Sequence, residues 1–548
     1  MVRRLLSLIE REIRGLHEAA YVLAFFSLLS QVLALLRDRT FANLFGAGPE
    51  LDAYFAAFRI PDLIFAFLTL FVSSFALIPL LSKKNPVEQG ELIGSILLVF
   101  GVVAALLSTL LYVVTPILVP YLIPGFSHEE ILNTEMLARI MLLQPILLGL
   151  SSIAAAVVQT SRRFVLFALA PIFYNLGIIV GAVLFYPIMG LQGLAWGVVF
   201  GALLHFVVQL IPLVRDRANM PLSVKVERLL RHIIDVVGPS VPRSVALMGN
   251  QALLVAFAAV GSLISVGAVS AMTFAYNLQS VPLTVIGVSY ASALFPALAT
   301  LAAVGDMSGF AKEAWTSVKH IFFWLMPATT FFIVLRAHIV RVVLGSGAFS
   351  WDDTRLTAAI LALFALSLVA QALILIFSRA YYAVSKTALP ILFNIGGSIV
   401  AGAGAYILVT GLGSDELFRF FVEALFRVTD VPGTAVLMIP AAYSVTMILV
   451  AFLFAAVFGV SYGYDHSVGQ SVGVSFSASV IGSAVAYAAL YAFGPLLPTN
   501  TFLGIFAQGL AAGTAGLLAW VVVLTLLRSQ ELSDILALLK NKIGIPRA

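Results

Sequence analysis

The sequence contains no cysteine and unusually little charge. Only 10% of its 548 residues are Asp, Glu, Lys or Arg, whereas 61% are hydrophobic. An ordinary soluble domain carries about 25% charged residues. So little charge cannot cover a water-facing surface, so lipid must be the main solvent of this chain. The absence of cysteine excludes disulfides, thiolate catalysis and cysteine metal sites.

The signatures of enzymes and of nucleic-acid binders are missing as well. No glycine precedes a lysine, which excludes the phosphate-binding loop of nucleotide hydrolases, and no two histidines have metal-site spacing. The basic residues form short clusters between apolar runs rather than a nucleic-acid patch. We therefore expect a transporter and not an enzyme, with no metal or cofactor. A coupling cation such as Na⁺ or H⁺, the membrane potential or the substrate gradient would supply the energy.

Apolar stretches long enough to cross roughly 30 Å of hydrocarbon recur along the chain. They predict an all-α polytopic membrane protein of about 14 transmembrane helices. The predicted spans are 21–44, 54–81, 91–118, 136–158, 165–186, 192–213, 239–262, 270–299, 316–344, 356–377, 389–410, 434–459, 471–493 and 502–527. Residues 1–20 carry charges through Arg14 and predict an interfacial helix, or a solvated start to the first span, rather than a signal peptide.

The distribution of basic residues predicts that both termini are cytoplasmic. With that orientation, 21 of the 31 Lys and Arg residues lie inside, as membrane topology favours. The predicted outer loops are acidic by contrast, as at Glu129-Glu130 and Asp352-Asp353. Residues 528–548 would form a cytoplasmic tail. The predicted location is the bacterial plasma membrane, with membrane lipids as partners and a monomer as the expected state.

A tandem duplication is the most informative pattern. Gly46-Ala47 recurs as Gly267-Ala268, and Phe126-Ser127-His128-Glu129-Glu130 recurs as Phe349-Ser350-Trp351-Asp352-Asp353. The proline and asparagine of 171–177 recur in 390–396. The offset spans six helices, so both copies keep the same orientation, and transporters place substrate between such parallel repeats. We predict two six-helix lobes, 21–213 and 239–459, joined by a cytoplasmic linker, 214–238, and followed by two additional helices within 460–527.

Charged residues lie where hydrocarbon is expected, and charge at that depth usually lines a cavity. Arg suits a diphosphate, because its planar guanidinium forms two parallel hydrogen bonds with such an anion. Alternatively, Arg37 and Arg39 pair with Asp38 and Asp52 at the outer interface. The candidate substrate-binding residues are Arg37, Asp38, Asp52, Arg59, Arg243 and Asn277.

Two asparagines follow prolines by four residues in the duplicated motif. Asn175 follows Pro171, and Asn394 follows Pro390. Proline lacks an N–H and leaves backbone groups without partners in a helix, and polar side chains can satisfy them. We therefore expect Asn175 and Asn394 to bond these freed groups, with an ion-binding role as the alternative.

Several stretches resemble the MurJ lipid II flippase family. The stretches that carry the likeness are Leu36-Arg37-Asp38, Leu44 to Gly48, Asp52 to Pro61, Ile78-Pro79, Ala275 to Pro282, Leu294 to Pro296, Gly345 to Phe349 and Arg379 to Ala383. The resemblance implies the multidrug/oligosaccharidyl-lipid/polysaccharide exporter fold and alternating access. It also implies an undecaprenyl-diphosphate-linked peptidoglycan precursor, lipid II, as the substrate that moves from the cytoplasmic to the outer leaflet.

The chain departs from that family's pattern at charged positions. The family's Ser-Arg pair in the first span is Ser30-Gln31 here. Its charged residues in the second and eighth spans correspond to Phe65-Ala66, Leu70-Phe71-Val72, Asn277 and Ser280. Three alternatives therefore stand beside lipid II transport: export of another polyprenyl-linked glycan, cation-coupled drug antiport, and a non-transporting scaffold of cell-wall assembly. No role is assigned to the amphipathic outer loop 411–433.

Overall fold

All regular structure in the described part of the chain is helical. The computed structural model describes residues 16–215, 221–411, 416–496, 498 and 501–543. Thirteen helices are long and apolar enough to cross a membrane, and one pair bent by 40°, Trp351–Ala365 with Leu368–Ala383, raises the number to 14. The all-α prediction and the number of spans are confirmed. Residues 1–15 of the predicted interfacial helix lie outside the described residues.

The chain divides into two compact units, Met1–Ser270 and Ala271–Ala548. The helices that begin in the first unit are α1 Leu16–Phe45, α2 Pro49–Ala57, α3 Arg59–Val72, α4 Ser74–Ser82, α5 Pro86–Leu122, α6 His128–Met141, α7 Leu143–Thr160, α8 Phe164–Val180, α9 Tyr186–Met189, α10 Leu191–Arg215, α11 Val226–Ser262 and α12 Ala268–Pro282. A π-helical turn, Gly181–Phe185, separates α8 from α9.

The first unit is organised around α8 and α10. Helix α10 packs along α8, α7 and α6, while α1 packs on the other side of α8. Small residues permit this approach, because a Cβ added at Gly177 would lie 2.2 Å from Gly201 Cα. Without a hydrophobic force between lipid-solvated helices, such close backbone packing supplies much of the association energy. It fixes the position of the polar residues on α8.

The second unit continues with eleven helices. They are α13 Ser289–Ala303, α14 Met307–Val334, α15 Arg336–Val343, α16 Trp351–Ala365, α17 Leu368–Ala383, α18 Ala388–Thr410, α19 Glu416–Phe426, α20 Met438–Tyr462, α21 Ser467–Phe493, α22 Phe502–Leu526 and α23 Gln530–Ile543. A π turn, Leu283–Val288, and a 3₁₀ turn, Thr434–Leu437, precede α13 and α20. Its core is largely aliphatic and includes an aromatic cluster in which Trp315, Phe377 and Phe458 pack together. The two additional helices, α21 and α22, pack on each other, and α21 packs on α14.

The predicted linker is largely structured. Helix α11 begins at Val226, well before the predicted span, and packs on α3, α4 and α5 within the first unit. The two compact units divide after Ser270. The division into the repeat lobes 21–213 and 239–459 describes a relation between sequences, and it stays a prediction.

The residues just before α11 are held against α5. A Cβ at Gly90 would lie 2.1 Å from the Pro221 carbonyl oxygen, so only glycine permits this approach. Glu91, which is buried, forms ion pairs with Lys225 and, at 3.1 Å, with Arg228. The predicted linker is thus fastened to the first unit at its C-terminal end.

The acidic motif that recurs in the sequence caps a helix at each of its two positions. Ser127 accepts a hydrogen bond from the Glu130 N–H at 3.3 Å, and Glu130 accepts one from the Ser127 N–H at 2.8 Å. Ser350 and Asp353 repeat this arrangement at 3.0 and 2.8 Å. Each pair is a capping box that satisfies two otherwise unpaired N–H groups at the start of a helix. The two copies therefore share local structure as well as sequence.

Candidate substrate site

Arg37 and Asp38 form a buried ion pair near the end of α1. The Arg37 Nη2 lies 2.8 Å from the Asp38 Oδ1, and Nε lies 3.0 Å from the same oxygen. Asp38 is only 2% exposed. Because the pair is nearly neutral, it can remain away from water where a single charge could not. Of the alternative ion pairs considered for Arg37 and Arg39, the one between Arg37 and Asp38 is thus observed.

The third member of this cluster is Asn175 on α8. Its Oδ1 accepts a hydrogen bond of 3.1 Å from the Arg37 Nη1, across 138 residues of sequence. Its Nδ2 donates to the Ser30 Oγ at 3.5 Å. The packing of α1 on α8 brings these groups together. One guanidinium is therefore oriented by a carboxylate and an amide from two helices.

The expected backbone role of the asparagines needs a correction. Asn175 and Asn394 donate to the carbonyls of Pro171 and Pro390 at 3.1 and 2.7 Å. The carbonyl that Pro171 leaves without its helical donor belongs to Phe167, four residues earlier. Gln209 on α10 donates to that carbonyl at 3.3 Å. Sequence reasoning missed Gln209, although a glutamine within an apolar span was a visible signal.

Asp52 is fully buried and caps a distant helix. It accepts hydrogen bonds from the Gly267 N–H at 2.6 Å, the Ser270 N–H at 2.7 Å and the Ser270 hydroxyl at 2.5 Å. These donors lie at the start of α12, where unpaired N–H groups and the helix dipole favour a negative charge. The structure therefore gives Asp52 a structural partner instead of Arg37 or Arg39. We no longer assign it to substrate.

Arg59 opens α3 immediately after the break at Phe58. It interacts electrostatically with Asp62, one turn later, which also forms a side-chain hydrogen bond with Gln144. Gln144 is buried on α7, and sequence reasoning missed it. Tyr174 interacts electrostatically with both Asp62 and Arg37. Tyr174 is thus within electrostatic range of both groups, and we call the Arg37 and Arg59 clusters together the polar region of the first unit.

Arg243 lies in the first unit as well. It is exposed on α11, next to Pro242. The following residue, Ser244, forms a hydroxyl–hydroxyl hydrogen bond of 2.8 Å with Thr69 on α3. The helices that carry Arg59 and Arg243 therefore pack directly on each other. All three predicted arginines belong to one compact unit, although the sequence prediction divided them between two lobes.

The remaining candidates, Asn277 and Asn394, lie in the second unit. The Asn277 carbonyl accepts a hydrogen bond from the Ser280 hydroxyl at 2.7 Å. Its neighbour Gln279 is buried and accepts one from Gln371 at 3.2 Å, so Gln279 is part of the core. Within the described parts of the chain, no three His, Asp or Glu side chains come together as a metal site.

Comparison with known proteins adds a family to this geometry. The family model described as lipid II flippase MurJ matches residues 41–417. A protein of Burkholderia cenocepacia named lipid II flippase MurJ is 27% identical over 413 residues, which cover 73% of this chain and 79% of that protein. A protein of Rhizobium tropici named probable lipid II flippase MurJ is 28% identical over 381 residues, covering 67% and 70%.

A solved structure has the same fold. The structure titled lipid II flippase MurJ, inward closed conformation, aligns with a TM-score of 0.72 and 20% identity, over 92% of this chain and 98% of that one. The family model matches more than half of this chain, and the resemblance found in the sequence motifs is confirmed. This multi-pass membrane protein therefore belongs to the MurJ lipid II flippase family.

Proposed function

We propose that this protein translocates lipid II from the cytoplasmic to the outer leaflet of the bacterial plasma membrane by alternating access. The family match over residues 41–417 is the observation that carries the proposal. It is a flippase and not an enzyme. The proposed substrate is an undecaprenyl-linked peptidoglycan precursor, whose diphosphate must cross a layer of low dielectric.

The polar region of the first unit supports a diphosphate site. Arg37, Arg59 and Arg243 are the cations that we propose bind the diphosphate, through guanidinium groups suited to paired oxygens. Asp38 and Asn175 orient the Arg37 side chain, since both bond it directly. Asn277, in the second unit, remains a proposed substrate-binding residue. A site of this composition suits an anion better than the cationic substrates of a drug antiporter.

The energy source and the state of assembly belong to the same proposal. We propose that the protein works as a monomer in which a cation gradient, of Na⁺ or H⁺, or the membrane potential drives the cycle. The net charge of the bound diphosphate makes translocation sensitive to the membrane potential, because about 2.3 kcal/mol accompanies each charge moved across 100 mV. Dissipating the potential, collapsing the pH gradient and removing Na⁺ in separate translocation experiments distinguish the three sources.

Complementation and transport together test the function. The gene should restore growth to a bacterial strain depleted of its own lipid II flippase. In spheroplasts of that strain, newly made lipid II should become accessible at the outer face. Growth without any lipid II translocation would support the scaffold alternative. Neither growth nor translocation, with the protein present at normal level, would instead favour export of another polyprenyl-linked glycan.

The orientation has its own test, and the absence of cysteine makes it clean. Single cysteines placed at Lys84, Ser127 and Ser350 are exposed to a membrane-impermeant maleimide added to intact cells. We expect labelling at Ser127 and Ser350 and none at Lys84, because the capping boxes belong to the predicted outer loops. The reverse pattern would place both termini outside.

A further inference from the structure

Two arginines of the second unit lie near enough to influence each other electrostatically. Arg336 is the first residue of α15, and Arg427 directly follows α19. Burial lowers the pKa of Arg336, and the positive charge of Arg427 lowers it further. Like charges placed together are unfavourable unless an anion joins them. The pair therefore indicates an anion site.

Aromatic and hydroxyl groups surround the two guanidinium groups. The Arg336 Cζ lies 5.7 Å from the centre of the Phe426 ring. Arg427 donates to the Tyr487 hydroxyl at 3.4 Å and also hydrogen-bonds Tyr491, and the two tyrosine hydroxyls are 3.1 Å apart. Arginine and tyrosine are the donors that bind phosphate oxygens, and tyrosine is enriched at the membrane interface. We call Arg336, Arg427, Tyr487 and Tyr491 the arginine–tyrosine cluster.

The carboxylates at this end of the unit have other partners. Arg355 binds Asp352 at 2.8 Å and Asp430 at 2.7 Å. Glu423 accepts from Thr434 at 2.5 Å and pairs with Arg419 at 3.2 Å. Among the residues that the structure describes, no carboxylate forms an ion pair with Arg336 or Arg427. An anion from outside the protein would balance the charge of these two guanidinium groups.

An apolar surface adjoins the cluster. Helix α19 exposes Leu417 (80%), Phe420 (61%), Phe421 (63%) and Leu425 (61%) on one side, while Glu423 is buried on the other. In water such a face would be unfavourable by about 25 cal/mol for each Å². Helices of this kind lie with the apolar face in the acyl region and basic residues at the headgroups. The surface continues from the cluster, since Phe426 and Arg427 are neighbours in the chain.

We propose that the arginine–tyrosine cluster binds the phosphate group of a membrane lipid whose hydrocarbon chains lie along α19. Arg336 and Arg427 supply the charge and the hydrogen-bond donors for the phosphate oxygens, and the tyrosine hydroxyls complete the site. The adjoining apolar face selects a lipid over a free phosphate ion. In the orientation proposed above, this lipid lies in the outer leaflet. The site is separate in sequence and chemistry from the Arg37 cluster.

Native mass spectrometry of the full-length protein in detergent tests the site. The probes are dioleoyl phosphatidic acid, the matching diacylglycerol, which has no phosphate, and inorganic pyrophosphate. The double variant Arg336→Gln/Arg427→Gln should bind phosphatidic acid roughly tenfold or more weakly, because charge-assisted hydrogen bonds are lost. The Lys/Lys variant should recover part of the affinity. Diacylglycerol should bind weakly to every variant.

Arg341→Gln is the matched control. It removes the same charge from the same short helix, but Arg341 lies over the Trp351 ring, 5.0 Å from its centre. Its phosphatidic acid binding should equal that of the unchanged protein. All variants must elute as monodisperse species with unchanged melting temperature in the absence of added lipid. A Gln variant that unfolds is replaced by the Lys/Lys variant and by the single substitutions.

Three results would overturn the proposal. The first is equal binding of phosphatidic acid by the double variant and the unchanged protein. The second is binding of diacylglycerol as tight as that of phosphatidic acid. The third is displacement of phosphatidic acid by pyrophosphate that binds as tightly as the lipid does. The last result would assign the cluster to a free phosphate ion. If phosphatidic acid does not bind but lipid II translocation is normal, only the lipid site is contradicted. If phosphatidic acid binds but lipid II is not translocated, only the proposed function is contradicted.

Discussion

The two copies of the duplicated segment have the same local structure and different charge. Gly46 recurs as Gly267, 221 residues later, and this offset aligns Arg37, Asp38 and Asp52 with Ala258, Ala259 and Thr273. The buried charges of the first copy thus have uncharged counterparts in the second. Both copies keep the acidic capping box, whereas the charges at these three positions occur in the first copy alone.

The asparagine pair makes this comparison within one motif. Both side chains donate to the carbonyl of the proline four residues earlier. Only Asn175 also bonds an arginine, Arg37, because α1 packs on α8 in the first unit. The local motif therefore determines the hydrogen bond to the proline carbonyl. Whether the asparagine also bonds an arginine depends on the helix that packs beside it.

Asp52→Ala should show the largest difference between the copies. It leaves the Gly267 and Ser270 N–H groups without their acceptor in a buried place, and each loss costs about 1–3 kcal/mol. We expect a fall of about 2–5 kcal/mol in the free energy of unfolding. Its counterpart Thr273→Ala should cause less than half of that fall. Unfolding in mixed detergent, followed by circular dichroism, gives both values. An equal decrease in the free energy of unfolding for both variants would show that Asp52 does not stabilise the fold by capping α12.

Arg37→Ala should come next, with an effect on transport. If the guanidinium binds the diphosphate, its removal should reduce lipid II translocation roughly ten- to a hundredfold, the equivalent of one charge-assisted hydrogen bond. Arg37→Lys should recover transport only in part, because lysine lacks the planar pair of donors.

The second-copy control for this experiment is Ala258→Ser, which changes the equivalent position without introducing charge. Its translocation rate should stay within about twofold of the unchanged protein. The arginine site would be contradicted, and the scaffold alternative favoured, if Arg37→Ala, Arg59→Ala and Arg243→Ala all functioned normally while present in the membrane at normal amount.

The asparagines should differ by a smaller factor. Asn175→Ala removes the amide that orients Arg37, so translocation should fall by roughly fivefold, less than one full charged hydrogen bond. Asn394→Ala removes the equivalent bond to a proline carbonyl and should leave translocation within about twofold. The same spheroplast assay measures both. A matching loss in the two variants would show that the proline bond matters more than the contact with Arg37.

The smallest effect should come from an ion pair at the surface of the second unit. Hydrogen bonds from Lys319 and Ser467 lower the pKa of Asp465 to about 2, from an ordinary value of 3.8. A carboxylate whose pKa is lower in the folded than in the unfolded protein stabilises the fold at pH values above its unfolded-state pKa. This stabilisation is lost as the pH falls through the folded-state pKa. Asp465→Asn should therefore destabilise by less than about 1 kcal/mol at pH 7, and the difference should vanish near pH 2. Melting temperatures across that range measure it.

Much of the architecture could be predicted because it depends on composition along the chain. Apolar length predicts a membrane-spanning helix wherever it occurs, and the number of spans is confirmed. The edges were less accurate. Helix α11 begins at Val226 inside the predicted linker, because ion pairs of Glu91 with Lys225 and Arg228 hold its first turn against α5. A linker and a helix with charged residues look alike until the partner helix is known.

The sequence drew attention to the candidate residues, which stay a prediction, but not to their partners. Arg37 and Asp38 stood out as charges in an apolar region, and their pairing needs only adjacent residues. Gln144 and Gln209 were missed, because a single polar residue in a span does not reveal which carbonyl or carboxylate it faces. Gln209 serves a carbonyl on α8, 42 residues earlier in the chain.

The sequence by itself determined that this protein is a helical membrane protein and which family it belongs to. Each of these follows from local hydropathy or from motifs read in order. Tertiary structure alone decided the role of each buried charge. Asp52 caps a helix that starts more than 200 residues later, and Asn175 reaches Arg37 across 138 residues. A buried charge is stable only with a partner, and packing chooses that partner.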